Sequence, residues 1–262
     1  MSAVFIQDEI IHYEVLGRGR PIFFLHGWAG SWRYWIPSMQ AVSPSFRAYA
    51  LDLWGFGDTA KKPAYYRLDE QVDLLEQFLQ HMGIGKIALV GHGLGGVVSM
   101  LFASLYPEHI DRLMAIALPF DPARITPRLS ALPPADIVDW LMPNTPEHPS
   151  TRQEAAKADH QSVLRSLEDL KAIRLENLLA RLKIPALMIY GQEDAVIGEP
   201  PSELLDALPE NAHYLVFEQA GHFPMLDQPS VFHRLLLDLL SLKSGESPRA
   251  LQLKEEWKRR VR

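Results

Sequence analysis

The chain has 262 residues, of which 47% are hydrophobic and 22% charged, which suits one α/β domain with an insertion. Its net charge of −6 leaves no excess of Lys and Arg to neutralise phosphates, so nucleic acid is not expected as a partner. The absence of cysteine excludes disulfides, cysteine–zinc sites and thiol catalysis. We see neither a basic, apolar leader nor an apolar stretch near the ~18 residues of a membrane span, and we expect a cytoplasmic protein without stable membrane insertion.

The first part of the chain has the pattern of a parallel sheet. Apolar and polar residues alternate over residues 3–16, which predicts two short strands that form an edge hairpin. Two short apolar runs, at residues 21–25 and 46–51, are typical of strands covered on both faces. Asp69 is predicted to cap a helix. Strand, helix and strand then alternate through residues 86–118, which indicates parallel strands joined by crossover helices.

The pattern changes in the second part of the chain. Residues 119–149 contain eight prolines, and a long helical stretch follows at about 151–182. Strand-like runs return at residues 185–190 and 213–217, and a last helix is predicted over 229–240. The sequence therefore predicts an α/β architecture whose strand pattern is interrupted once.

These changes divide the chain into three parts. We predict a core made of residues 1–118 and 181–241, and a small helical cap at residues 119–180 that lies over the sheet. A proline-rich surface excursion is the less favoured alternative for that segment. Residues 242–262 are predicted to be a separate C-terminal segment that forms a basic amphipathic helix, with Ser247 as its N-cap. Such a helix binds a membrane surface or docks on protein, and we favour docking on its own domain or a partner.

The most informative motif is the glycine-rich run at residues 91–96, between an apolar strand and a helix. Strand, turn and helix form the setting of a nucleophile elbow, G-x-Ser-x-G, but the nucleophile position here is Gly93. The run also satisfies the dinucleotide fingerprint G-x-G-x-x-G, which requires an acidic residue at the end of the next strand. That strand ends instead in Leu118 and Pro119. We therefore predict no nucleotide cofactor, and we identify no metal site.

Candidates for the rest of an acyl-transfer site lie further along the chain. Asp194 and His222 each follow a predicted strand, and the carboxyl ends of parallel strands meet at one edge of a sheet. We expect this acid and base to converge around Gly93. The backbone N–H groups of Trp28 and Leu94 are the predicted oxyanion-hole donors.

In their order along the chain, these motifs resemble the α/β-hydrolase superfamily over residues 1 to about 241. The matching motifs are His26-Gly27, Asp52-Leu-Trp-Gly-Phe-Gly57, Gly91-x-x-x-Gly95, Gly191-x-x-Asp194 and Gly221-His222. The resemblance implies a mostly parallel eight-stranded sheet flanked by helices, with a small helical cap, and esterase-like chemistry. Esterases and lipases of this superfamily carry Ser where this chain has Gly93, and epoxide hydrolases and dehalogenases carry Asp.

Several aromatic residues lie in or beside the loops expected above the sheet. Four are tryptophans, at positions 28, 32, 35 and 54. The predicted substrate pocket consists of His26, Gly27, Trp54, Phe120 and Phe223. These rings either line a site for a small apolar or aromatic ester-like ligand or are ordinary packing beneath the cap, and the sequence favours neither.

Glycine at position 93 leaves three hypotheses about function. The first is a carboxylic-ester hydrolase whose serine has been lost by engineering or in evolution, so that the protein binds substrate with little turnover. In the second, His222 acts as a general base without a covalent step. The third is a non-catalytic binder or scaffold that reuses the pocket. Glycine adopts positive φ freely, so we expect the turn to persist with a small gap beside His222.

Overall fold

A computed structural model describes residues 2–142 and 145–254. Its eight strands form a sheet in the order β1-β2-β4-β3-β5-β6-β7-β8, and among these described strands β2 is the one that runs opposite to the others. The strands are β1 (Ser2–Ile6), β2 (Glu9–Gly17), β3 (Arg20–Leu25), β4 (Phe46–Leu51), β5 (Ile87–His92), β6 (Ile110–Ile116), β7 (Ala186–Gly191) and β8 (Ala212–Phe217). The predicted fold class is confirmed.

Helices cover both faces of the sheet because the chain adds strands in two directions from its centre. From β3 the chain moves to β4 on one side, and from β5 to β6 on the other, so right-handed crossovers place the connecting helices on opposite faces. The helices are α1 (Ile36–Val42), α2 (Leu68–His81), α3 (Leu94–Leu105), α4 (Arg128–Ala131), α5 (Pro134–Leu141), α6 (His148–Ala155), α7 (His160–Leu170), α8 (Leu175–Arg181), α9 (Ser202–Asp206), α10 (Pro224–Asp227) and α11 (Pro229–Ser241). Helix α1 packs against α11, whereas α3 packs against α2 and α8.

The central strands form the core. Every residue of β5 and β7 is buried, as expected for parallel strands covered on both faces, where side chains need not alternate between apolar and polar. This burial explains why short apolar runs were sufficient to predict these strands from the sequence. Within the described residues, no helix is both long and apolar enough to cross a bilayer.

Two helix predictions need correction. Helix α2 begins after Arg67, and the Asp69 carboxylate accepts hydrogen bonds from the Arg67 guanidinium instead of capping the helix. The single long stretch predicted at 151–182 is three helices, α6 to α8. Asp159 separates the first two because its carboxylate accepts from the Gln161 backbone N–H at 2.9 Å and starts α7.

The predicted C-terminal helix is also different in its described part. Ser247 does cap a helical turn, but that turn is a short 3-10 segment, Pro248–Ala250, and Leu251 is extended. The continuous helix predicted from Ser247 is therefore wrong up to residue 254, and its remainder lies outside the described residues. The Leu251 carbonyl accepts from the His213 ring at 3.0 Å, so this part of the tail docks on the chain's own sheet.

Candidate active site

The predicted elbow is a sharp turn between β5 and α3. Gly93 has φ +50° and ψ −111°, a conformation that side-chain-bearing residues rarely adopt. Its backbone N–H donates to the Ile116 carbonyl at 2.9 Å, and its carbonyl accepts from Val97 at 3.0 Å. Gly95 allows the helix to cross the sheet closely, because a Cβ there would lie 2.3 Å from the Leu25 carbonyl oxygen. The turn therefore keeps its tight geometry without a side chain at position 93.

The predicted acid and base are in contact. His222 Nδ1 lies 2.9 Å from Asp194 Oδ2, and the other carboxylate oxygen accepts from the N–H groups of Val196 at 2.7 Å and Ile197 at 3.1 Å. Burial of Asp194 opposes its ionisation, but the charge and hydrogen bond of His222 and these two amides outweigh burial and hold its pKa below the usual value. The ionised carboxylate accepts a hydrogen bond from Nδ1–H, so the imidazole Nε2 is available as a base, and it has no partner among the described residues.

His222 lies beside the elbow. The ring nitrogen Nε2 of His92, the residue before Gly93, is 2.8 Å from the His222 carbonyl oxygen, and the two ring centroids are 4.6 Å apart. The three predicted elements, the elbow, the acid and the base, are thus brought to the same edge of the sheet.

The predicted oxyanion amides lie on adjoining loops. The Gly95 N–H donates to the His26 carbonyl at 2.9 Å, which ties the elbow to the loop after β3. Neither the Trp28 nor the Leu94 backbone N–H has an acceptor among the described residues.

The Trp28 indole lies close to the position that a side chain at residue 93 would occupy. A Cβ built on Gly93 would lie 3.2 Å from Cε3 and 3.3 Å from Cζ3 of this ring. The indole is held there by its Nε1–H, which donates to Ser166 Oγ in α7 at 2.9 Å. The ring therefore borders position 93 on this side, whereas the gap expected beside His222 stays a prediction.

His26 and Gly27 hold the loop rather than face an open pocket. His26 is fully buried, its Nε2 accepts from the Leu53 N–H at 3.0 Å, and its Nδ1–H donates to the Gly27 carbonyl at 2.8 Å. Burial lowers the pKa of His26, which keeps the ring neutral. Both ring nitrogens are therefore used within the protein. Gly27 lies so close to His92 that a Cβ would come within 2.8 Å of its Nδ1.

The predicted pocket aromatics separate into two groups. The Phe223 ring lies 4.8 Å from the His92 ring, next to the acid–base pair. Trp54 is buried and packs against Tyr65, with ring centroids 4.7 Å apart and ring planes tilted by 32°. Phe120 lines a different cavity, of about 880 Å³ between α8 and α9, whose lining includes no predicted acid, base or elbow residue.

No alternative serine nucleophile is found near the elbow among the described residues. Ser99 Oγ donates to the Gly95 carbonyl at 2.6 Å. Ser166 Oγ accepts from the Trp28 indole and donates to the Val163 carbonyl. Both hydroxyls are engaged in holding local structure.

One group of potential metal ligands lies beside this region. Ligand atoms of His12, Asp52 and Asp58 all fall within 4.8 Å of one another. However, His12 Nδ1 is 2.8 Å from Asp52, and the Asp58 carboxylate pairs with the Lys157 ammonium at 3.0 Å. These contacts pair the carboxylates within the protein, and we assign no cation to them.

Tyr34 is the site residue that the sequence did not predict. Its hydroxyl accepts from the Gly27 N–H at 2.6 Å and lies 3.0 Å from His92 Nδ1. Its place depends on the contact of three loops that are distant in sequence. No local pattern around it could have indicated that role.

The parallel sheet, the elbow and the Asp194–His222 pair define a protein of the α/β-hydrolase class. The family model described as alpha/beta hydrolase fold matches residues 20–167, and the chain belongs to that family.

Proteins similar to this chain include several with hydrolase names. It is 26% identical to RutD of Stutzerimonas stutzeri, which is assigned as a carbamate hydrolase, over 90% of this chain and 98% of that protein. It is also 26% identical to a pimeloyl-[acyl-carrier protein] methyl ester esterase of Vibrio vulnificus, over 86% of this chain and 96% of the esterase. A serine-to-glycine mutant of the N-acyl homoserine lactonase AidH, complexed with N-hexanoyl homoserine lactone, superposes with TM-score 0.80 at 18% identity and shares the fold over 91% of this chain and 96% of that one.

Proposed function

We propose that this chain carries a carboxylic-ester-hydrolase-type site without a covalent nucleophile. The observation that carries the proposal is the Asp194–His222 hydrogen bond of 2.9 Å beside an elbow whose central residue is Gly93. A buried carboxylate costs free energy unless it is well paired, and here two amides and an imidazole satisfy it. This arrangement orients a base and serves acyl chemistry.

The ligand we propose is a small apolar or aromatic ester-like molecule. Its carbonyl oxygen accepts from the backbone N–H groups of Trp28 and Leu94, which lack other acceptors among the described residues. The names of two similar proteins state a carbamate and a methyl ester as substrates. Both substrates have a carbonyl carbon bonded to a heteroatom, and this supports the choice. The cap segment, residues 119–180, supplies the wall above the ligand, with the Trp28–Ser166 bond as one attachment to the core.

A second candidate function is favoured by the intact acid–base pair. His222 Nε2 takes a proton from water while the water oxygen bonds to the ligand's carbonyl carbon, and the two amides stabilise the oxyanion. Collapse of this intermediate breaks the bond to the alkoxide, which receives the proton from His222. This route needs no side chain at position 93, whereas a protein that only binds has no need of an oriented imidazole.

The experiment compares the chain with Gly93→Ser on short aryl esters. Because a Cβ at position 93 would crowd the Trp28 ring, Gly93→Ser is also made together with Trp28→Leu, which keeps the backbone donor. We expect a burst in which each serine-containing site releases about one phenol. Adding His222→Ala should abolish this burst. Folded serine variants with neither burst nor turnover would contradict the ester-hydrolase assignment.

The original chain tests the second candidate. General-base chemistry predicts slow turnover with no burst, abolished by His222→Ala. Equal rates for these two proteins would exclude it. Saturable ligand binding that yields no product and tolerates His222→Ala would support the third hypothesis, a binder.

A further inference from the structure

We propose that Tyr34 and His92 form a positioning relay that sets the oxyanion loop and the His222 loop relative to each other. This inference rests on the proposed function and adds two positioning residues to it. The relay is a chain of three hydrogen bonds: Gly27 N–H to Tyr34 at 2.6 Å, Tyr34 to His92 Nδ1 at 3.0 Å, and His92 Nε2–H to the His222 carbonyl at 2.8 Å.

The direction of each bond follows from chemistry. A carbonyl only accepts, so His92 Nε2 carries a hydrogen and donates to His222. Burial and, as a smaller effect, the nearby His222 hold the pKa of His92 well below its usual value. The ring is therefore neutral and Nδ1 is an acceptor. The Tyr34 hydroxyl therefore donates to Nδ1. Its oxygen still accepts from Gly27, and burial raises the pKa of Tyr34 well above its usual value, which keeps the proton in place.

The relay reaches the group that would stabilise the oxyanion. Tyr34 fixes the amide on one side of Gly27, and His26 fixes the Gly27 carbonyl on the other at 2.8 Å. That carbonyl and the Trp28 N–H belong to the same planar trans peptide and point in opposite directions. Holding Gly27 from both sides therefore aims the Trp28 N–H.

Two glycines allow the loop after β3 to pack closely against Tyr34 and His92. A Cβ at Gly30 would lie 2.3 Å from the Tyr34 ring, and one at Gly27 would lie 2.8 Å from His92 Nδ1. The relay residues are nearly inaccessible, with Tyr34 and His92 each 1% exposed. Solvent has little access to these hydrogen bonds, so loss of the hydroxyl leaves two buried groups unpaired.

The first test measures position without turnover, in the original chain. Tyr34→Phe keeps the ring and removes the hydroxyl, and Tyr66→Phe is the matched control because its buried hydroxyl bonds Asp159 instead. Nitrogen NMR is expected to show His92 neutral, with Nδ1 as acceptor, and Tyr34→Phe should shift the Nδ1 resonance. The downfield proton of the His222–Asp194 bond should exchange faster in Tyr34→Phe and remain unchanged in Tyr66→Phe. If neither signal responds to Tyr34→Phe, the relay is overturned, whatever the protein's activity.

The second test measures the kinetic consequence in the Gly93→Ser variant. Because a misplaced donor costs up to about 10²-fold in rate, Tyr34→Phe should lower kcat by roughly 10- to 100-fold with little change in KM. His92→Ala interrupts the same chain, so the double variant should be no slower than the worse single variant. Additive losses, or a kcat within about twofold of the Tyr66→Phe control, would overturn the relay. An inactive Gly93→Ser protein with normal NMR responses would instead count against the proposed function alone.

Discussion

The Trp28 ring borders the side-chain position of Gly93, since a Cβ added there would be 3.2 Å from the ring's Cε3. The loop after β3, through this indole, thus borders the space that a nucleophile's side chain would need. The contact connects the identity of residue 93 to the position of the loop that carries one predicted oxyanion donor.

Gly93→Ala should lower the free energy of unfolding by roughly 1–3 kcal/mol, because it adds strain at positive φ as well as crowding against Trp28. Chemical denaturation measures this. Gly83→Ala is the control, since Gly83 has φ +62° but no heavy atom within 4 Å of an added Cβ. The difference between the two variants reports the crowding, and Trp28→Leu should reduce it. Equal costs at both positions would show that the ring moves freely.

Asp194→Asn should leave the fold intact and remove the orientation of His222. In the Gly93→Ser protein we expect kcat to fall by roughly 10³- to 10⁴-fold, the scale known for a triad whose acid is replaced by its amide. Steady-state kinetics on aryl esters gives the number, and Asp139→Asn, at an exposed ion pair with Arg152, is the control. A fall below tenfold would contradict the role assigned to Asp194.

Ser166→Ala should destabilise the protein by about 1–3 kcal/mol, because the buried Trp28 Nε1–H loses its acceptor. Ser162→Ala is a close control, since its hydroxyl lies on the same helix and donates to the Asp159 carbonyl. Urea unfolding of both variants distinguishes a lost acceptor from a lost hydroxyl. If the two variants are equally stable, the indole bond makes no measurable contribution.

Stability should decrease as the pH falls below about 6.5, the value expected for unfolded histidine. Burial lowers the folded pKa of His26 and His92, and that of His233 to about 4, so the unfolded chain binds protons first. Each such residue adds up to about 1.4 kcal/mol per pH unit to the slope below 6.5, and the full stability is present above that pH. His12, whose folded pKa is raised, acts in the opposite sense.

Unfolding free energies measured between pH 7 and pH 4 test this dependence. His233→Gln should reduce the slope across that range because it removes one partly buried neutral histidine. A free energy of unfolding that does not change with pH over this range would contradict the prediction.

The sequence predicted those parts of the site that depend on topology. Asp194 and His222 could be identified because each follows a parallel strand, and such strands end at one edge of the sheet. The predicted start of α2 is wrong because the Asp69 carboxylate pairs with the Arg67 guanidinium. The capping pattern in the sequence does not show which of these two local partners the carboxylate will bind. Tyr34 could not be predicted, since its hydroxyl acquires a role only when three loops pack together.

Helix α7 is attached to the core at several places. Trp28 donates to Ser166, the Tyr66 hydroxyl donates to the Asp159 carboxylate, and the Leu68 N–H donates to Asp169. A chimera that receives residues 119–180 from a relative would therefore need matching acceptors at these three positions. Without them, the graft would leave an indole, a phenol and a helix-end amide of the recipient unpaired, so exchange of specificity between relatives is constrained by α7 as well as by the pocket.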